Sequence, residues 1–391
     1  MYTTGHRRTA QLPVMVLNFG VLGPLQMTAN GEPLALGTPK QRAVLAMLVM
    51  SRNRPVSSES LVNAAWEQFP PPEPKAGLHT YISNLRRLVA GAGLDAKAVL
   101  ASAAPGYRLA VADAECDLGR FVAHKTAGVQ AAAAGQFEQA SRHLSDALAQ
   151  WRGPVLDDLR NFEFVDPFAT ALVEDKVVAH TAHAEAEIAC NRGHAVVGIL
   201  ESLVGEHPYR EPLWTQLITA YYLSERQSDA LDAFQRLKSA LAEDLGIDPG
   251  PSVRALHERI LRQEPLNAKK AAQTTAVHKV HHMDMRTAVG TQTATAHLRA
   301  ASGRIHPLLA AATRIGRLPD NEIVLDDPNV SRHHAVIIDT GTSYVITDLH
   351  SANGVDVHNQ RIRGTATLGH DDRIRICDHE FTFEIRRPAP E

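Results

Sequence analysis

Six side chains close together carry the first sign of chemistry in this sequence: His79, Thr80, Ser83, Asn84, Arg86 and Arg87. At helical spacing they would gather hydrogen-bonding groups and two cations on one face, a mix suited to base edges and phosphates in a major groove. An arginine pair by itself is more often a solvated helix face, so this reading rests on the elements around it. Other clusters point elsewhere and more weakly. Asp157, Asp158, Glu174 and Asp175 supply carboxylates, but an acidic face is commonly solvated surface rather than an acid–base pair. His278, His281 and His282 have no cysteine or fourth ligand at metal spacing, and Cys116, Cys190 and Cys377 stand far apart, so neither a zinc site nor a disulfide framework is expected. The chain has no GxxxxGK[ST] phosphate loop and no GxSxG nucleophile motif. The expectation is no enzyme, no cofactor and no metal.

The elements that must hold the six-residue face can be read on either side of it. From Leu17, VLGPLQMTANGEPLAL predicts short strands around an Asn30-Gly31 turn. Thr38 then caps a helix with Pro39 in its first turn, and QRAVLAMLV is apolar nearly all round, so that helix is buried. Ser57 or Ser58 starts a second helix ending near Trp66, a core residue. After Pro70, Pro71, Pro72 and Pro74 comes a third helix with Leu78, Ile82, Leu85 and Leu88 or Val89 on one stripe, opposite the polar face. Gly91 and Gly93 end it, and APGYRL from Ala104 to Leu109 turns into a strand. The motifs TPKQRAVLAMLV, RNRPVSSESLVNAAW, LHTYISNLRRL and PGYRL together resemble the OmpR/PhoB-type winged helix of the actinobacterial antibiotic regulatory proteins, over residues 14–112. The resemblance implies that the third helix enters the major groove with His79, Thr80, Ser83, Asn84 and Arg87. Arg86 shares that face, and Tyr107 and Arg108 form the wing.

Charge is divided along the chain although the net value is only -3. From Lys40 to Arg108 nine Lys and Arg face four Asp and Glu, whereas from Asp113 to Glu264 fourteen face twenty-four. A basic module suited to DNA thus precedes an acidic one. The acidic stretch has no strand signal. Its phrases GQFEQASRHLSDAL, RGHAVVGILESLV and RQSDALDAFQRLKSAL repeat one helical pattern at close to the tetratricopeptide period. Residues 116–263 resemble the bacterial transcriptional activation domain that follows the winged helix in the same family, which implies dimerisation and protein contacts, RNA polymerase among the candidate partners. Trp214, Tyr221 and Tyr222 are expected to pack between repeats.

Residues 267–302 are too polar to bury a core and are expected to be a linker, with Thr274, Thr275, Thr287, Thr291, Thr293 and Thr295 accessible to a kinase. Beyond it, TRIGR, EIVL, HHAVIID, SYVITD, GVDVH, RIRIC and EFTFEI read as short strands of a β-sandwich. Gly316-Arg317, Ser331-Arg332-His333-His334 and Ser351-Ala352-Asn353-Gly354 make residues 303–387 resemble the forkhead-associated family of phosphothreonine readers. A phosphate of charge about -1.5 to -2 with three acceptor oxygens needs positioned donors and cations. The resemblance assigns these to Arg317 and Ser331, with Arg332 as a second cation and Asn353 on the peptide backbone. Gly316, His334 and Gly354 shape the loops. One departure stands out: Ala352 occupies a position where many relatives carry a hydroxyl donor.

The expected architecture is therefore multi-domain: an α+β winged helix, an all-α tetratricopeptide-like middle and an all-β sandwich. This order is similar to that of mycobacterial members of the family that are controlled by a Ser/Thr kinase and regulate arabinosyltransferase genes. The implied function is a transcriptional regulator of promoter DNA that docks a phosphothreonine-bearing kinase. A phospho-dependent adaptor, or a kinase-binding decoy without promoter regulation, stays open. No apolar run is long enough for a membrane span, and no convincing signal peptide opens the chain, so a cytoplasmic location is expected.

Overall fold

The computed structural model describes residues 16–67, 69–284, 295–362 and 364–386. Leu17–Gly20 (β1), Gln26–Ala29 (β2) and Glu32–Pro33 (β3) form an antiparallel sheet, with Asn30 and Gly31 at positive φ between β2 and β3. Pro39–Met50 (α1) starts at Thr38, whose hydroxyl accepts from the Gln41 N–H, and it is buried on nearly every side. Val56–Ser57 (β4) is a short strand that the sequence pattern did not announce. Ser57 rather than Ser58 caps Ser58–Trp66 (α2), accepting from the Ser60 N–H at 2.9 Å. Pro74–Gly91 (α3) buries Leu78, Ile82, Leu85 and Val89. After Ala96–Val99 (α4), Leu100–Ala103 (β5) and Gly106–Leu109 (β6) form the hairpin, with β4 on its other edge.

The middle is helical: Asp117–Ala133 (α5), Phe137–Leu148 (α6), Val165–Ala189 (α7), Gly193–Glu206 (α8), Glu211–Leu223 (α9), Gln227–Leu245 (α10) and Pro251–Leu261 (α11). Small residues let neighbouring helices approach closely. A Cβ on Gly128 of α5 would stand 2.6 Å from Leu144 Cγ of α6. Trp214 and Tyr221 are buried between helices, as their apolar surroundings required.

The segment expected as a linker departs from that expectation. Ala268–Asp284 (α12) is a helix that packs on α5 and α7, with the Lys270 N–H donating to Asn267 Oδ1 at its start. Ala272 and Ala276, four residues apart, are buried against the alanine-rich faces of α5 and α7, while Lys279 pairs with Glu185. Two small side chains suffice against such a smooth partner, so the apolar stripe was too narrow to register. Thr274 and Thr275 lie on this helix. Thr287, Thr291 and Thr293 fall outside the described residues, as do the side chains of His281 and His282.

The sandwich begins at Thr295–Ala300 (β7), inside the expected linker. It continues through Ile305–Pro307 (β8), Ala312–Gly316 (β9), Ile323–Val324 (β10), Ala335–Asp339 (β11), Tyr344–Asp348 (β12), Val355–Val357 (β13), Gln360–Arg361 (β14), Thr365–Leu368 (β15), Arg373–Ile376 (β16) and His379–Arg386 (β17). One sheet runs β10-β9-β11-β12-β15 and the other β14-β13-β16-β17-β7-β8. Strands β11 and β12 are buried on both faces. Ala335 and Ile337 enter the sandwich core, while Val336, Ile338 and Val345 join the apolar cluster shared by the first two modules. A solvated outer face would alternate apolar with polar residues. Here the continuous run AVIID marks a docked face.

Polar groups fix that docking. Lys125 of α5 and Asp175 of α7 form an ion pair at 2.9 Å, almost wholly buried. The β11–β12 turn completes it: Ser343 Oγ donates to Asp175 at 2.7 Å, Thr342 Oγ donates to the other carboxylate oxygen, and Lys125 Nζ donates to Thr342 Oγ at 2.9 Å. Burial alone would raise the Asp175 pKa. The Lys125 charge and the hydroxyls of Thr340 and Thr342 outweigh it and hold the carboxyl below its ordinary value of 3.8. On the other side, Asp117 Oδ atoms accept from the Val21 and Leu22 N–H groups at 2.9 Å and from Arg152 at 3.2 Å, joining the end of β1 to the start of α5. Three of the four carboxylates read as solvated surface are structural bonds: Asp158 takes Arg42, Glu174 takes Arg210, and Asp175 is buried.

Removing one partner of a buried pair leaves an uncompensated charge, at a cost of about 3–5 kcal/mol. Asp175→Asn should therefore lower stability strongly near neutral pH in chemical denaturation. A carboxylate with a depressed folded pKa contributes fully above its unfolded pKa and loses that contribution as pH falls through the folded value. The gap between wild type and variant should narrow as the medium is acidified below about pH 4.

Candidate functional site

The three loops that carry the phosphate-reader motifs converge at one end of the sandwich. Gly316 ends β9, and a Cβ there would stand 2.3 Å from the Arg332 carbonyl oxygen, so only glycine lets the two loops touch. The Arg317 N–H donates to the Ser331 carbonyl at 3.0 Å, closing that approach. His334, with no exposed surface, accepts the Ser331 N–H on Nδ1 at 3.1 Å. Its other nitrogen must then carry the proton, and Nε2 donates to the Gly354 carbonyl at 3.0 Å. One imidazole thus ties the serine loop to the asparagine loop. Gly354 has φ +64 and donates its N–H to Ser351 Oγ at 2.8 Å.

These braces leave the outward groups ready. Ser331 Oγ accepts the Ala352 N–H at 3.1 Å, so its own proton is the one to offer outward. Arg317 and Arg332 are exposed, and among the described residues neither guanidinium is paired with a carboxylate. Asn353 is exposed, but its amide nitrogen already donates to the Asn329 carbonyl at 2.8 Å, which leaves the amide oxygen as its open group. Ala352 contributes only its backbone.

Sequence reasoning missed Asn321. It is buried, and its amide donates to both the Leu318 carbonyl at 2.8 Å and the Arg332 carbonyl at 2.9 Å, fastening the arginine-bearing loops together. Nothing local in LPDNE marks it, because the partner that joins the two loops, the Arg332 carbonyl, lies outside that stretch. Beside it, Asp320 accepts from Asn63 Nδ2 of α2 at 3.4 Å, and Glu322 accepts from Ser60 Oγ at 3.4 Å. The phosphate-reader end of the sandwich therefore touches the winged helix directly.

On that winged helix, α3 exposes His79, Thr80, Ser83 and Arg87, with Arg108 exposed on β6. Three of the expected residues do not stand free on the surface. Arg86 turns inward: Nε and an NH group donate to the Leu100 carbonyl at 2.9 and 2.8 Å, and the guanidinium also reaches Ser102 Oγ, so it clamps α3 to the hairpin. Asn84 is half-buried and donates to Gln41 Oε1 at 3.0 Å. Tyr107, on β6 of the hairpin, is buried beneath His79 and Arg86. Helical spacing gives a face about 100° or more wide, and it cannot separate residues at the edge of that face, which reach back to neighbours, from those at its centre. Trp66 of α2 stacks on Tyr81 of α3 at 5.5 Å, linking the two helices.

Comparison with known proteins agrees with this division. Family models match for "Transcriptional regulatory protein, C terminal" at residues 31–109, "Bacterial transcriptional activator domain" at 116–261 and "FHA domain" at 313–377. The transcriptional regulatory protein EmbR of Mycobacterium tuberculosis is 68% identical over 370 residues, covering 94% of this chain and 95% of the relative. The regulatory protein DnrI of Streptomyces peucetius is 30% identical over 64% of this chain and 93% of its own. A solved structure of Mycobacterium tuberculosis EmbR in complex with a low affinity phosphopeptide covers 96% of this chain and 100% of its own, with TM-score 0.94 and 66% identity.

Bracing and outward groups should separate in experiment. His334→Ala strands the buried Gly354 carbonyl, at about 1–3 kcal/mol, and frees the part-buried Ser331 N–H, so it should lower unfolding free energy clearly. Arg317→Ala removes only an exposed group and should stay within about 0.5 kcal/mol of wild type in the same denaturation measurement.

Proposed function

We propose, from the premise that this chain belongs to the EmbR family of transcriptional regulators, that its sandwich reads a phosphothreonine on a Ser/Thr kinase and passes that state to promoter binding. The observation that carries the reading is a pair of guanidiniums, Arg317 and Arg332, without carboxylate partners among the described residues. They flank a hydroxyl whose proton points outward, on loops locked from behind by His334 and Asn321. Such a site suits a dianion with three acceptor oxygens: two cations, one hydroxyl donor, and little reordering on binding. Asn353 would accept from the bound peptide's backbone through its amide oxygen. The sandwich from β7 to β17 serves this role and the winged helix meets DNA. The arabinosyltransferase genes are the candidate targets.

On the DNA side, Ser83, Arg87, His79 and Thr80 are the groove-facing groups, Arg108 meets the backbone beside the hairpin, and Arg86 and Tyr107 support them from beneath. The link between input and output is short. Asp320 and Glu322 of the phosphate-reader end hold Asn63 and Ser60 of α2, and α2 is stacked on α3 through Trp66 and Tyr81.

A phosphothreonine peptide should bind the full chain and its unphosphorylated form should not. Hydrogen bonds to a charged group contribute about 1.5–3 kcal/mol, so Arg317→Ala or Ser331→Ala should weaken binding by about tenfold to a hundredfold in calorimetric titration. Ala352→Thr supplies the absent hydroxyl and should tighten it at least severalfold. Equal affinity for both peptide forms defeats the reading.

In promoter titrations at two salt concentrations, Arg87→Ala or Arg108→Ala should reduce the slope of log K against log salt by about 0.9 for each phosphate no longer neutralised. Arg86→Ala should instead lower folding stability. A wild-type preference for promoter over random DNA that vanishes would favour an adaptor without promoter regulation.

A further inference from the structure

Outside the sites above, α5 and α6 bring together three side chains of metal-ligating type. His124 stands on α5, and His143 and Asp146 stand one turn apart on α6. One ligand atom from each lies within 4.8 Å of the others. The close approach of the helices at Gly128 and Leu144 makes this convergence feasible. The three do not form an ordinary hydrogen-bonded cluster. His124 Nδ1 and Asp146 Oδ2 are 4.0 Å apart, beyond hydrogen-bonding distance, and the two imidazole centroids are 6.0 Å apart at an interplanar angle of 38°. His143 Nδ1 is buried with no hydrogen-bond partner, so a ring nitrogen at this spot lacks the group that would satisfy it.

We infer that His124, His143 and Asp146 form a binding site for a divalent ion of the zinc class, clamping α5 to α6. Two imidazole nitrogens and one carboxylate oxygen suit a borderline ion. Calcium and magnesium take oxygen ligands, and only one carboxylate is present in the cluster. Metal–ligand bonds of about 2.0–2.2 Å would set the three ligand atoms roughly 3.4 Å apart in a tetrahedron, within reach of small side-chain rotations. The fourth position falls to water, while the Gln139 amide, 3.5 Å from His143 Nε2, meets the ring on its other side. The clamp would stiffen the helix pair that carries the sandwich through Lys125 and through the approach of Val122 to Gly341. The pattern was invisible in the sequence because His124 lies on a different helix from its partners.

The test is a titration of Zn2+ into the metal-stripped full chain, read by calorimetry and by thermal unfolding. His278, His281 and His282 are first replaced by alanine to remove a competing histidine run. The expected result is one ion per chain and a rise in Tm. His124→Gln and His143→Gln should each weaken binding by more than the about 10–100-fold that loss of a supporting partner costs, and should abolish the Tm rise. Asp146→Asn, exposed and safe for folding, should weaken binding in the same direction. Retained phosphothreonine-peptide binding and unchanged circular dichroism would show that the variants fold. Failure of wild type to bind one ion per chain, or wild-type affinity in both folded histidine variants, would overturn the inference.

Discussion

Lys125 and Asp175 sit almost out of reach of water, on two different helices, and the hydroxyls that replace their lost hydration come from the turn of a third module. Two opposite charges tolerate that setting only if every remaining donor and acceptor finds a partner. Thr342 and Ser343 supply those partners, so the sandwich completes the hydrogen bonding of the helical body itself. Around this point the apolar outer face of β11 and β12 is buried, and Asp117 performs a comparable task where β1 meets α5. The three modules are consequently packed as one body and not strung along the chain.

That packing decides what the phosphate-reader loops lie against. With the sandwich seated on α5 and α7, its β9–β10 connection reaches α2, and Asp320 and Glu322 find Asn63 and Ser60. Both bonds are long and individually weak. They matter by position, since Asn321 ties the same connection to the Arg332 carbonyl, one residue beyond Ser331. A phosphate gripped by Arg317 and Ser331 would act on a loop already fastened to the DNA-facing helices. Coupling between two sites typically amounts to about 1–3 kcal/mol, a size that a few such bonds can carry.

Local features were legible in the sequence. Thr38 capped its helix, Asn30-Gly31 made its turn, and the apolar stripe of α3 ran as Leu78, Ile82, Leu85 and Val89. Motif spacing also brought Gly316, Ser331, His334 and Gly354 to one place, because three loops of a sandwich are set by its strand order. What escaped depended on partners distant in the chain. Asp175 meets Thr342 across 167 residues, and Arg86 turns to a hairpin that follows its helix. Residue type assigned both to the surface, whereas tertiary packing buried Asp175 and bound half-buried Arg86 to the hairpin. The helix α12 was missed for a different reason: alanines four residues apart bury little area, and only a flat alanine-rich partner makes that enough.

If this packing links phosphate recognition energetically to DNA binding, the two affinities must move together. Promoter affinity of the full chain, titrated with and without saturating phosphothreonine peptide at one salt concentration, tests the link directly. A linked pair of sites gives a change of about fivefold or more in wild type, matched by an equal change in peptide affinity when DNA is saturating, and abolished when Asn63 and Asp320 are both replaced by alanine. Identical promoter affinity in the presence and absence of bound peptide would contradict it.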